Sequence, residues 1–166
     1  MTNNYAQFSE RIEDLSPEAC KWVEEVLLFD FDDPPYEDCD DAIVAFRKLM
    51  DGAELTLDHD DFMNYGWPGF EWRIEAGGVG PECQQTLWLY CEEGYNSTHL
   101  VAFVQALICK FMSDYVFTLT TGEYCSKPRI SEFGGGWLVV HKDGVEGGNT
   151  WDAAEKAALE ILQRRK

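Results

Sequence analysis

The chain has 166 residues and a formal net charge of −18 at pH 7, with hydrophobic residues at 45% and aromatics at 14%. That is enough apolar material for one domain with a packed core, and too much for a disordered acidic tail. The charge disfavours direct binding to nucleic acid or to an anionic membrane, because both would repel it.

Tyr5 to Ile12 reads as one or two short helical turns. Ser16-Pro17-Glu18 then opens a helix: the serine caps, the proline suits the first turn, and the glutamate favours the positive end of the dipole. Ala19, Trp22, Val23, Val26 and Leu27 recur at helical spacing, and Glu24 and Glu25 fall off that stripe. Asp32-Asp33-Pro34-Pro35 ends the segment, since two prolines cannot continue a helix. A second helix starts near Asp38 to Asp40, carries Ile43, Phe46, Leu49 and Met50 on one side, and stops at Gly52.

Residues 51–66 are polar and rich in turn formers, and after them the period changes from helical to alternating. Phe70, Trp72, Ile74 and Ala76 alternate with Glu71, Arg73 and Glu75, the pattern of a half-buried strand. Gly77 to Pro81 connects it to a second strand, Thr86 to Cys91, so the pair forms an antiparallel hairpin. Trp88 and Tyr90 then lie on the opposite face from Leu87 and Leu89, and reach solvent if helices cover one face only. Leu100 to Met112 is a helix apolar on most sides, which predicts burial across a sheet. Tyr115 to Thr121 and Gly136 to His141 are two further strands. Asn149 caps a last amphipathic helix through Ala154, Ala158, Ile161 and Leu162. The expected fold is α+β: a mostly antiparallel four-stranded sheet in the order ββαββ, with packed helices and an N-terminal helical layer. One domain spans 1–166, with residues 1–52 as the acidic helical layer and 67–166 as the sheet-plus-helix core.

No apolar run reaches the roughly 18 residues of a membrane span. Met1 to Phe8 has neither a basic n-region nor an apolar h-region, so no secretory signal is visible. The cysteines at 20, 39, 83, 91, 109 and 125 form no Cys-x-x-Cys pair. Reduced thiols in a cytoplasm are the expectation, with no zinc ligand spacing.

Acid is concentrated at the front. Residues 1–66 hold 18 Asp and Glu against four Lys and Arg, residues 67–136 eight against four, and residues 137–166 five of each. Asp30, Asp32, Asp33, Asp40 and Asp41 form one cluster and Asp58, Asp60 and Asp61 another. Carboxylates held on a rigid scaffold near phosphate spacing can present a backbone-like field to a DNA-binding protein. Trp67 and Phe70, just after the acid, would add apolar contact. The bland alternative is a solvated surface. Metal binding is not expected: Asp30-x-Asp32-Asp33 opens like a calcium loop, but Pro34 and Pro35 follow and the twelfth position is Asp41.

The segment Glu123 to Gly136 brings Cys125, two cations (Lys127 and Arg129), Glu132 and three glycines together between two strands. It could bind an anionic ligand, or Gly134 to Gly136 could simply serve the strand that follows. The order of a phosphate-binding Walker motif is missing. His99 and His141 read as ordinary cap or surface residues, and no cofactor motif is present.

Cys125-Ser126-Lys127-Pro128-Arg129-Ile130-Ser131-Glu132-Phe133-Gly134-Gly135-Gly136, with Val101-Ala102-Phe103-Val104-Gln105-Ala106 before it, resembles a pattern in small proteins of bacteriophages, plasmids and other bacterial mobile elements. The likeness covers residues 96–141. It implies a setting, the cytoplasm of a bacterial host. Small acidic proteins there are often inhibitors of restriction or CRISPR machinery. The expected function is therefore a non-catalytic inhibitor that engages a basic nucleic-acid-binding protein of a host defence system. The alternatives are a small-molecule-binding protein or enzyme using Cys125–Gly136, and a structural adaptor or homodimer.

Overall fold

A computed structural model of the chain describes residues 4–31, 39–50, 66–76, 85–125 and 134–164. The described elements are β1 (Asn4–Leu15), α1 (Pro17–Leu27), α2 (Cys39–Leu49), β2 (Glu71–Ala76), β3 (Gln85–Cys91), α3 (Ser97–Phe111), β4 (Phe117–Cys125), β5 (Gly134–His141), β6 (Gly144–Asn149) and α4 (Thr150–Arg164). The strands pair antiparallel in one sheet of order β2-β3-β1-β4-β5-β6. The α+β class stands, with six strands in place of the expected four.

The two additional strands are β1 and β6. Tyr5 to Ile12 is extended, not helical. Phe8 and Ile12 are four residues apart, which suits a helix, but they also share one side of an extended chain, and both are buried there. β1 is the central strand: residues 8–15 pair with β3, and residues 4–7 pair with β4. The register shifts between Ile12 and Leu15, where Asp14 adopts φ 63°. The extra length of a bulge there returns Leu15 to the core side, 1% exposed. The helical layer therefore begins at Pro17, and the front of the chain contributes its first strand to the sheet.

β6 consists of Gly-Val-Glu-Gly-Gly-Asn, a composition that reads as turn. Its glycines answer to the neighbouring strand. A Cβ on Gly147 would lie 2.6 Å from Leu138 Cδ2, and one on Gly148 would lie 3.1 Å from the Trp137 indole nitrogen.

One contiguous core lies between the sheet and the helices. Ile12, Leu87, Leu89, Phe117, Leu119 and Val140 line the sheet side, and Leu100, Phe103, Val104, Leu107 and Ile108 come from α3. Each such side chain contributes about 1.5–3 kcal/mol through its removal from water. α3 is buried on most sides, as its composition predicts, and α1 packs beside it with Trp22 stacked on Phe103 at 5.9 Å between centroids.

Candidate functional site

Two indoles fix α1 and α2 in place. Trp22 of α1 donates from Nε1 to the Leu49 carbonyl at the end of α2, at 2.9 Å. Trp67 donates from Nε1 to the Val26 carbonyl in the last turn of α1, also at 2.9 Å. Last-turn carbonyls lack intrahelical donors. The Trp22 indole supplies a donor to the Leu49 carbonyl, and the Trp67 indole adds a second donor to the Val26 carbonyl, which also accepts the Phe29 N–H at 3.2 Å. Phe46 of α2 has no exposure and sits among Phe29, Phe31 and Trp67, with centroids 5.1, 5.1 and 4.7 Å away.

The turn that carries Trp67 is itself docked on α3. Asn96 donates its backbone N–H to the Gly69 carbonyl at 2.9 Å. Its side-chain oxygen accepts from the N–H groups of Thr98 and His99 at 3.0 and 3.2 Å, capping α3. Gly69 has φ 70°, and a Cβ there would meet Asn96 Cβ at 2.9 Å. His99 faces the Pro68 carbonyl through Nδ1 at 3.3 Å and is fully buried. It is thus a core residue, not the cap or surface histidine expected from its place in the first helical turn.

The expected apolar anchors are corrected by the same packing. Phe70 is 7% exposed and packs on Phe103, and Trp67 is half-buried between Phe46 and His99. The Phe70 ring is not exposed, and the Trp67 ring, partly exposed, helps hold the layer that bears the acid.

Of the predicted acidic residues, Asp30 is exposed just after α1, Asp41 is exposed on α2, and Asp40 belongs to the first turn of α2. Asp32, Asp33, Asp58, Asp60 and Asp61 lie outside the described residues. The structure adds Glu18, Glu24 and Glu25, all exposed on α1. Their signal was present in the sequence, because they occupy the positions off the apolar stripe. Lys21 is the basic side chain of α1, and it pairs with Glu25 at 3.6 Å. Farther along, Glu71, Glu92 and Glu93, with Gly69, Phe70, Cys91 and Gly94, line an open cleft of about 540 Å³. Burial pushes the Cys91 thiol above its ordinary pKa, and the thiol donates to the Ala6 carbonyl at 3.1 Å.

Cys125 ends β4 and is buried, at 6% exposure, while Lys127, Arg129 and Glu132 lie outside the described residues. The glycines that follow are strand residues in close contact. A Cβ on Gly135 would fall 2.3 Å from the Thr121 carbonyl oxygen, and Gly136 donates its N–H to Thr121 Oγ1 at 2.9 Å. Gly135 and Gly136 thus answer to strand packing.

The opposite face of the sheet has different chemistry. Arg73, Trp88 and Arg11 stand in one row across β2, β3 and β1. The Arg73 guanidinium lies 4.6 Å and that of Arg11 5.9 Å from the Trp88 ring centre. Trp88 stacks on Tyr90 at 4.4 Å and donates its indole N–H to Ser9 Oγ at 2.8 Å. Both arginines pair with Glu75. Burial, and then the nearby Glu71 carboxylate, raise the pKa of the Tyr90 hydroxyl. Tyr5 and Tyr124 stack at 4.9 Å farther along the same face.

Comparison with protein-family models, with curated proteins and with solved structures finds no match. Among the described residues, no helix is long and apolar enough to cross a membrane.

Proposed function

We propose that this protein is a non-catalytic acidic inhibitor from a bacterial mobile element, directed at a basic nucleic-acid-binding protein of a host defence system, of the anti-restriction or anti-CRISPR type. The observation that carries the reading is the seating of the acid. Glu18, Glu24, Glu25 and Asp41 project from helices whose ends are tied down by Trp22 and Trp67. A fixed array of carboxylates loses little conformational entropy when it meets a cationic groove, whereas a flexible acidic tail would lose much. The groove loses its competing DNA because that binding is itself largely electrostatic. No direct nucleic-acid contact and no membrane contact form part of this reading.

The alternative of a small-molecule enzyme built on Cys125 to Gly136 draws no support from the described part of that segment. Its thiol is buried and Gly135 has no room for a side chain.

The test combines Glu24→Gln, Glu25→Gln, Asp30→Asn and Asp41→Asn in one chain. Displacement of labelled duplex DNA is measured from a panel of restriction endonucleases and CRISPR effector complexes. The parent displaces DNA from at least one of them, less so as the Debye length falls below about 10 Å with added salt. The quadruple variant, with unchanged circular dichroism, does not. A parent inactive on the whole panel, or a folded variant as active as the parent, overturns the proposal.

A further inference from the structure

We propose that the outer edge of β2 pairs antiparallel with the same edge of a second copy, across a two-fold axis at Ile74. β2 ends the sheet order β2-β3-β1-β4-β5-β6, and its register with β3 runs unbroken from Glu71 to Ala76. Among the described residues, no strand pairs with its other side. Such an edge presents a row of backbone donors and acceptors to any strand that can match it. Sheets blunt these edges with a proline, a bulge or a charge pointing toward the core. β2, Glu-Trp-Arg-Ile-Glu-Ala, has none of the three. Trp72 and Ile74, both half-buried, occupy its core side, and Glu71, Arg73 and Glu75 its other side.

The order of side chains selects a second copy as the occupant. Directly opposite residues of an antiparallel pair share one face of the sheet. With the axis at Ile74, Arg73 lies opposite Glu75 of the second copy, and Glu75 opposite its Arg73. Acid meets base at both places. On the core side the two Ile74 positions meet at the axis, and the large Trp72 falls beside the small Ala76. The neighbouring axes that keep the two core sides together fail on charge. An axis at Arg73 sets arginine against arginine and Glu71 against Glu75, and one at Glu75 sets glutamate against glutamate. The chain carries a net charge of −18, but Arg73 and Arg11 both reach Glu75, so the acid of this strand is offset locally. Those ion pairs stay intact when the second copy's side chains join them. β6, at the far end of the sheet, has no such order, since Gly-Val-Glu-Gly-Gly-Asn carries one charge. The same patch serves both copies, as a two-fold interface requires. The inference is independent of the inhibitor reading, because it uses the sheet edge and not the acidic helices.

Sedimentation equilibrium of the full chain tests it. At about 100 µM the parent sediments as a dimer. Arg73→Glu and Glu75→Arg, each with unchanged circular dichroism, weaken that dimer about tenfold or more. Mixing the two variants restores a dimer that contains one of each, because every opposed pair then joins opposite charges. Amide hydrogen exchange within residues 72–76 of the parent slows as its concentration rises. A parent that stays monomeric overturns the proposal, as does a dimer indifferent to both charge reversals. Exchange within 72–76 that is the same in monomer and dimer overturns it too. Failure of the two variants to pair on mixing overturns the register about Ile74.

Discussion

Removing the Phe46 ring tests whether the acidic layer is seated as the structure places it. The side chain has no exposure and touches Phe29, Phe31 and Trp67 through edge-on or tilted rings. Phe46→Ala deletes the whole ring from a closed site, and such deletions cost about 3–5 kcal/mol. A favourable aromatic pair is worth about 0.5–1.5 kcal/mol beyond area burial, so three such neighbours place the cost toward the upper end. Domains of this size have roughly 5–15 kcal/mol in total, so the loss is a large fraction of what holds the chain folded. At about 2–4 °C per kcal/mol, Tm falls by roughly 6–20 °C. Urea denaturation followed by tryptophan fluorescence and by far-UV circular dichroism reads the change as a lower midpoint with an unchanged slope. Phe46→Leu, which keeps most of the volume, loses less than half as much. If Phe46→Ala costs under about 1 kcal/mol, far below the range for a buried ring, α2 is not docked on Trp67. The premise of a fixed carboxylate array then fails with it.

Asn96→Ala removes the cap of α3 and lowers stability by about 1–2 kcal/mol, read by urea denaturation, whereas Asn96→Asp retains most of it. Gly135→Ala forces a Cβ to within 2.3 Å of a backbone oxygen and lowers Tm by more than about 5 °C, while Gly94→Ala, with nothing within 4 Å, leaves it within about 2 °C. Burial, reinforced by Glu24, raises the Cys20 thiol above 9.0. Burial likewise raises the Cys91 thiol above 9.0 and the Tyr95 hydroxyl above 10.0. The Tyr115 hydroxyl is raised above 10.0 by burial and then by Glu13 and Glu10. The unfolded chain loses these protons first as pH rises, so their contribution to stability is whole below pH 9 and declines above it, through the raised folded values. Urea midpoints that hold steady or rise from pH 9 to 11 would contradict this.

Where one pattern dominated a stretch of sequence, the fold was legible. The β2–β3 hairpin, the buried α3 and the stripe of α1 all follow from a single unambiguous period. β1 was lost because Glu10 interrupts the apolar positions between Phe8 and Ile12, leaving a spacing of four that helix and strand share. In the sheet Glu10 is tolerated where β1 and β4 part beyond Gln7, and its carboxylate accepts the Thr120 N–H at 3.4 Å. β6 was lost because its glycines encode closeness to Trp137 and Leu138, a tertiary requirement with no local signature. The acidic character of the site was legible as composition, but the roles of Trp67 and Phe70 were not. An aromatic beside a polar stretch looks like an exposed anchor until the helix it docks against, α3, is placed in space.

The arrangement of cations decides which broad surface is open to a basic partner. On the sheet face that carries Trp88, Arg11 and Arg73 already flank its ring, Glu75 pairs with both, and Ser9 Oγ accepts the indole N–H. A partner docking there would have to break matched contacts before making its own, and rim charges so paired return little. On the helical side the balance differs. Glu18, Glu24, Asp30 and Asp41 stand exposed, Lys21 pairs with Glu25, and Arg47 and Lys48 stand in the last turn of α2. An excess of acid on fixed helices steers an oppositely charged partner from a distance.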